Sequence, residues 1–401
     1  MTVWKGENHM ANTLDYLDWR GDLSLETVPF CEVDSLLLSQ LAYLPMDGLV
    51  PGRQAQGSAP LPEVMAALTQ SKAEKAVLEH YRALGPNYRL LAEKLKTCPR
   101  FRDVRLCRFA NDFDEAQQKQ FSAVSVLLPD GCVSIAYRGT DNTLVGWKED
   151  FNMSFITPVP AQREAVQYLA ETAHAFPKAA LRLGGHSKGG NLAVYAAAFC
   201  GAGIQSRILS VHSHDGPGFQ QGVMDNDGYR AVNGRITTFV PQSSVVGMLL
   251  EHEEEYVVVH STGSGPFQHD SFSWEVLGPA FVKEEGTSAG SRMFDETLKD
   301  WLSRMDAAQR EQFSDALFEL FGAAGATTLK ELTASPGKTA GAVLGKLAGL
   351  DADTRGVLLE TLGELMSATG KTLQHTALER PGKGRNGGKP PRLKGGSRNA
   401  R

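Results

Sequence analysis

The sequence predicts an α/β fold with a mostly parallel central sheet, a helical C-terminal region and a disordered basic tail. Three observations carry this. Short apolar, β-branched runs alternate with helical patterns between residues 101 and 280. A strand-to-helix turn crowded with glycine, LRLGGHSKGGNLAVYAAAF, stands at Leu181–Phe199 among them. After about Phe281 the strand texture is gone. Strands that alternate with helices need crossover connections and therefore a parallel sheet.

The elements follow in order. Leu36, Leu37, Gln40, Leu41 and Leu44 sit at helical spacing, which predicts a helix over Val33–Leu44 stopped by Pro45. Val50–Pro62 is rich in Gly, Pro, Ala and Gln and reads as a loop. Two helical patterns precede Cys98. FRDVRLCRFA, FSAVSVLL and CVSIAYR read as strands, and Pro129-Asp130-Gly131 is turn chemistry between the last two. Gln162–Phe176 is helical, Leu181–Leu183 a short strand and Asn191–Cys200 a helix. Strands follow at Arg207–His212, Arg235–Val240 and Tyr256–Ser261, then helices at Arg292–Met305, Ala307–Phe321 and Asp353–Ala368. From Arg380 the chain carries many Lys, Arg, Gly and Pro and no acid, so it cannot bury a core. The chain divides into an N-terminal helical segment (1–100), a core (101–280), a helical region (281–379) and the tail (380–401).

Composition bounds the function. Of 401 residues, 42% are hydrophobic and 22% charged, as in ordinary soluble proteins. A net charge of −5 argues against nucleic-acid or membrane attraction for the whole chain. Five scattered cysteines, Cys31, Cys98, Cys107, Cys132 and Cys200, form neither a disulfide framework nor a CxxC zinc pattern. The N-terminus lacks the apolar stretch of a secretory signal, and no apolar run approaches the roughly 20 residues of a membrane span. The expectation is a cytoplasmic protein with reduced thiols, no metal and no cofactor; its oligomeric state is left open.

Gly185-His186-Ser187-Lys188-Gly189 fits G-x-S-x-G. A strand ends, the chain reverses and a helix begins, so the serine stands on a strained turn with its hydroxyl above the sheet edge. Glycines two before and two after let strand and helix approach closely. The Lys188 backbone N–H then lies at a helix N-terminus, where an oxyanion is stabilised. A tightly packed turn without chemistry would share the bare pattern; the strand before and the helix after favour the nucleophile.

A serine nucleophile needs a base and the base an orienter. In the α/β-hydrolase order the acid follows the serine and the histidine comes last. Of His212, His214, His252, His260, His269 and His375, only His269 lies in a loop after the final strand, in GPFQHDSF. His260 reads as packed in its strand, His252 as part of a solvated acidic run. The usual acid position, after RITTFV, carries Ser243 and Ser244. One strand earlier, ILSVHSHDGPG ends on Asp215, at the sheet edge where ligands bind. Asp215 is therefore the expected acid, with an Asx turn as the alternative role; Asp270 adjoins His269 too closely in sequence. The loop after CVSIAYR offers a second oxyanion donor at Gly139–Thr140, stiffened by Trp147 and Asp150.

AYRGT, GGHSKGGNLA and a late histidine together resemble the fungal-type class-three lipases. NTLDYLDWRGDLS, DGPGF, PQSSVVGMLL and QHDSFSW, in this order, more closely resemble a bacterial lipase-like group of uncharacterised domains. The resemblance covers about residues 11 to 280. It implies an α/β-hydrolase fold, Ser187 as nucleophile, Thr140 at the oxyanion hydroxyl position and His269 as base. The lipases carry Asp where this chain has Ser243 or Ser244, so the acid departs from their pattern.

The favoured reading is a serine hydrolase acting on a small-molecule or lipid ester. Two others compete. His212-Ser213-His214-Asp215 collects metal-ligand types, but strand alternation sends Asp215 to the opposite face from the two histidines. A non-enzymatic binding module on a hydrolase fold would explain the missing carboxylate, with the 380–401 tail touching anionic surfaces. Val245–Leu250 reads as acyl-pocket lining or core.

Overall fold

A computed structural model of the chain describes residues 11–70, 75–141, 144–153, 156–244, 246–248, 250, 252, 256–292, 308–310, 312 and 314–315. The helices expected after Arg292 lie largely or wholly outside these residues, as does the tail.

The N-terminal part supplies helices α1 (Thr13–Trp19), α2 (Glu32–Leu41), α3 (Leu61–Thr69), α4 (Lys75–Leu84) and α5 (Pro86–Leu95), with a two-residue strand β1 (Ala59–Pro60). Asn12 caps α1 through its side chain, which accepts from Leu14 and Asp15 N–H groups, while Asp15 accepts from the Asn12 N–H. Three helices, α3 to α5, rather than two stand between the end of the expected loop and Cys98, and α2 ends at Leu41, ahead of its proline. Tyr43 and Leu44 continue α2 as tight turns, donating to the Gln40 and Leu41 carbonyls.

The core follows as β2 (Arg105–Asp114), β3 (Lys119–Leu127), β4 (Val133–Tyr137), α6 (Leu144–Asn152), α7 (Pro160–Ala175), β5 (Leu181–His186) and α8 (Lys188–Phe199). Then come α9 (Ala202–Gln205), β6 (Ile208–His214), α10 (Gln221–Met224), α11 (Asp227–Asn233), β7 (Ile236–Pro241), β8 (Tyr256–Val259), β9 (Val276–Leu277) and β10 (Ala280–Phe281). One sheet runs β1 to β8 in sequence order: antiparallel as far as β4, parallel from β4 to β8. The hairpin expected around Pro129–Gly131 joins β3 to β4. A separate antiparallel hairpin pairs β9 with β10.

Helices cover both faces. Side chains of adjacent strand residues point oppositely, and β5 shows this directly. A methyl on Gly184 would meet the Ser35 hydroxyl of α2 at 2.9 Å, whereas one on Gly185 would meet the Gly189 backbone of α8 at 2.1 Å. On the α2 side, Leu36, Leu37 and Leu41 pack with Val124, Val126, Phe239 and Trp274. On the α7–α8 side, Tyr137, Tyr168, Leu183, Leu192 and Val211 form the second core. Asp34 of α2 is fully buried and held by Arg100 through two hydrogen bonds of 2.7 and 2.5 Å.

β5 and β6 run further than their side chains suggest, to His186 and His214. Their last residues pair with each other, and β5 reaches along β4 through Gly184 and Gly185. This extension carries both strands to one edge, where residues 187 and 215 begin.

Candidate active site

Ser187 follows the last residue of β5 and precedes the first residue of α8. Its backbone has φ 58° and ψ −135°, a region that costs a non-glycine residue about 1–3 kcal/mol. Its N–H donates to the His214 carbonyl at 2.9 Å, and its own carbonyl accepts from Gly190 N–H at 2.9 Å. The turn closes only because two neighbours lack side chains. A methyl on Gly185 would strike Gly189, and one on Gly189 would come within 2.2 Å of the Tyr137 carbonyl oxygen of β4.

Asp215 stands at the adjacent strand end, since His186 of β5 is paired with His214 of β6. It too has positive φ, 53°, which aspartate tolerates better than most residues. Its N–H donates to the Phe239 carbonyl at 2.8 Å, and its side chain has no solvent exposure. Both carboxylate oxygens are used. Oδ2 lies 2.6 Å from His269 Nδ1; Oδ1 accepts from Ser244 Oγ at 2.5 Å and from Gly247 N–H at 3.1 Å. Ser244, at the position where a carboxylate was absent, thus serves the carboxylate one strand away. Gly247 lies in the segment read as pocket lining or core; Val245 and Leu249 of that segment lie outside the described residues.

His269 ends a short 3-10 turn, Gly265–His269. Its neighbour Gln268 anchors the loop: Oε1 accepts from Ser243 N–H at 2.6 Å, and its carbonyl accepts from Trp274 Nε1 at 2.9 Å. The His269 ring lies tilted against that of His186, centroids 4.7 Å apart and planes 32° apart, which sets it beside the residue before Ser187. Asp270 is engaged elsewhere, accepting from Phe272 N–H. The other candidates stand apart from this pair. His260 Nδ1 lies 2.7 Å from Glu275, and His252 Nε2 lies 2.8 Å from the Gly247 carbonyl; His375 lies outside the described residues.

Lys188 and Thr140 flank the serine. The N–H groups in the first turn of α8 have no carbonyl of their own helix to meet, so the Lys188 N–H is free to serve a ligand. The Lys188 side chain, unremarked in sequence, is fully buried beneath the turn. Its Nζ donates to Glu149 Oε2 at 2.9 Å and the Gln120 carbonyl at 3.2 Å, with Asp150 Oδ1 at 3.7 Å. Burial alone would pull its pKa down, but the Glu149 and Asp150 charges hold it above the ordinary lysine range. Thr140 Oγ1 donates to Asp150 Oδ2 at 2.5 Å, which ties the β4 exit loop to α6. Burial pushes the Asp150 carboxyl up to about 6 against the pull of Lys188. The Trp147 side chain lies outside the described residues.

The metal-ligand reading of β6 meets a packed interior. His214 is stacked on Phe239 at 5.3 Å and 13°, with Trp274 and Phe281 around it, and Asp215 is committed to its three partners. Among the described residues, no group of three or more His, Cys, Asp or Glu could hold a metal ion. No described helix is long and apolar enough to cross a membrane.

Comparison with known proteins bears on this arrangement. The model of the Mbeg1-like family matches residues 95–319, more than half of the chain. The chain belongs to the Mbeg1-like family. This is the lipase-like grouping to which the ordered motifs pointed. No curated protein matches it. Among solved structures, the Rhizomucor miehei lipase propeptide complex is 17% identical, with a TM-score of 0.31 over 41% of this chain and 59% of that one. Lipase II from Rhizopus niveus is 14% identical, TM-score 0.32, over 52% and 80%. A triacylglycerol lipase from Penicillium expansum is 14% identical, TM-score 0.29, over 46% and 82%. The family match begins at residue 95, so α1 to α4 and nearly all of α5 precede it.

Proposed function

We propose that this Mbeg1-like chain is a serine hydrolase that cleaves a carboxylic ester through an acyl-enzyme. Ser187 attacks the carbonyl carbon while His269 takes its proton at Nε2. Asp215 holds the imidazole by Nδ1–H and stabilises the imidazolium. The oxyanion is met by N–H groups at Lys188 and Thr140, together with the Thr140 hydroxyl once it turns from Asp150. His269 then returns the proton to the departing alkoxide, and water cleaves the acyl-enzyme by the same steps reversed. The substrate class is a small-molecule or lipid ester, and the working compartment a reducing one such as the cytoplasm, where five free thiols persist.

The observation that carries this reading is the 2.6 Å contact between Asp215 Oδ2 and His269 Nδ1, on a loop whose His269 ring lies against His186 of the serine-bearing turn. A carboxylate sealed from solvent and aimed at a histidine, on the loop that lies against the serine-bearing turn, supports this reading. The test is covalent labelling by a fluorophosphonate, with hydrolysis of p-nitrophenyl esters of graded chain length. Labelling should fall on Ser187 and vanish in Ser187→Ala. Equal labelling of Ser187→Ala, or none of the folded wild type, overturns the reading.

A further inference from the structure

His186 and Tyr43 have no part in the mechanism above, yet both are buried beside it. His186 Nε2 lies 2.9 Å from the His269 carbonyl oxygen, an acceptor only, so Nε2 carries the proton. In the neutral ring Nδ1 is then an acceptor, and the Tyr43 hydroxyl stands 3.3 Å from it. The same hydroxyl also lies 3.4 Å from the His186 carbonyl oxygen, and the Gly139 backbone, at the exit of β4, passes close beside it. The approach is close: a methyl on Gly139 would sit 2.3 Å from the Tyr43 oxygen and 2.9 Å from Ser187 Cβ. Burial, and then the neighbouring His269, pull the His186 pKa down to about 3, which keeps the ring neutral and this bond pattern intact.

Tyr43 is itself held on several sides. Its carbonyl is 2.8 Å from His80 Nε2 of α4, and its ring packs on Tyr88 of α5 at 5.6 Å. Tyr88 in turn meets Phe272, just past His269, at 5.1 Å and 87°, and its hydroxyl donates to Gln40 at 2.6 Å. The segment ahead of the family's matched span therefore reaches the base by two routes.

We propose that Tyr43 and His186 are positioning residues for His269. They form a strut from the Tyr43 hydroxyl, packed on the Gly139 backbone, through the His186 ring to the His269 carbonyl. Asp215 grips the His269 ring at one atom and Gln268 anchors the preceding residue, so neither holds the His269 carbonyl itself. The strut adds a hold on that carbonyl, and with it on the distance from Nε2 to Ser187. It also ties the base to the loop that carries Thr140, so both halves of the site move together. This inference rests on the serine-hydrolase reading.

The experiment is fluorophosphonate inactivation kinetics on the full chain, which separates kinact from KI and needs no natural substrate. His186→Phe keeps the ring and its contact with His269 but loses both hydrogen bonds; His186→Gln keeps a donor at about the reach of Nε2. Misplacing a catalytic group by about 1 Å costs up to about 100-fold. We expect His186→Phe to lower kinact about 10- to 100-fold with little change in KI, and His186→Gln to recover most of it. Tyr43→Phe should lower kinact severalfold with an unchanged melting temperature. A role in packing alone predicts the opposite order, with Phe no worse than Gln. That order, or folded His186→Phe labelled at the wild-type rate, overturns the inference while Ser187-dependent labelling stands. If His186→Phe does not fold, Tyr43→Phe decides, and a wild-type rate overturns the strut. Absence of wild-type labelling overturns the hydrolase reading and the strut with it.

Discussion

At the scale of single residues, the Asp215 carboxylate is the most constrained group in the site. Ser244 Oγ and Gly247 N–H donate to Oδ1, which leaves Oδ2 to His269. This arrangement predicts what Asp215→Asn will do. Two donors face Oδ1, so the amide oxygen must take that place, and the amide nitrogen must face His269 Nδ1. An NH2 group there turns Nδ1 into an acceptor and puts the imidazole proton on Nε2, where it cannot receive the Ser187 proton. Folding should be nearly unchanged, and ester hydrolysis should drop by about 10³-fold or more, as expected for a wrong tautomer. Steady-state kinetics with a p-nitrophenyl ester check this; a loss below about 10-fold would mean that Asp215 does not orient the base. Asp215 was legible in sequence because it ends a strand in a Gly-Pro-Gly turn. Its partner Ser244 was not. From RITTFV-PQSS one reads a missing carboxylate, and nothing local says that a hydroxyl there reaches a residue 29 positions earlier.

At the scale of elements, the serine turn is joined to α6 by a buried ion pair. Lys188 and Glu149 have side-chain exposures of 0% and 1%, so neither charge has water to fall back on. Glu149 is also spoken for by the backbone: Oε2 accepts from Gln120 N–H at 3.1 Å and Oε1 from Ala161 N–H at 2.9 Å. One carboxylate thereby ties β3, α7 and the start of α8. Removing one partner of a buried pair strands the other charge, at a cost of about 3–5 kcal/mol. Lys188→Met should lower stability by about that much. Lys188→Met with Glu149→Gln should recover a large share, since the glutamine is neutral and still accepts from a backbone N–H. Urea unfolding followed by circular dichroism compares the three proteins. A double variant as unstable as Lys188→Met would show that packing, not charge, is at stake. The turn itself was plain in sequence, because glycine spacing around a serine reports backbone approach directly. A lysine at the x position gives no such signal; its burial depends on which acid the sheet brings beneath it.

At the scale of the whole molecule, strand and helix alternation was enough to read the layered architecture, and the Pro129–Gly131 turn foretold one antiparallel pairing. The contribution of the turn after α2 to the site was out of reach, because Tyr43 and His186 are 143 residues apart and meet only in the finished fold. The face under α2 also carries two further histidines, His214 buried and His212 half-buried. His212 and His214 face one another at 6.0 Å, each with Nδ1 buried and unpartnered, and His214 Nε2 is 3.3 Å from Ser35 Oγ of α2. Burial pulls His212 down to about 4 and His214 well below its ordinary value, as it does His186 to about 3. In the unfolded chain all three titrate near 6.5. Below that pH the unfolded state binds protons that the folded state refuses, so stability must fall as pH drops. Each such histidine contributes a slope of about 1.4 kcal/mol per pH unit, from about 6.5 down to its own folded value. Above about 7 these groups are neutral in both states and add no dependence. Urea midpoints should therefore decline steeply between pH 6.5 and 5, before most carboxylates begin to protonate. His212→Gln should reduce that slope by about one histidine's share, about 1.4 kcal/mol per unit. Equal slopes for wild type and variant would mean that His212 takes up its proton without unfolding, and that the α2 face opens to admit it.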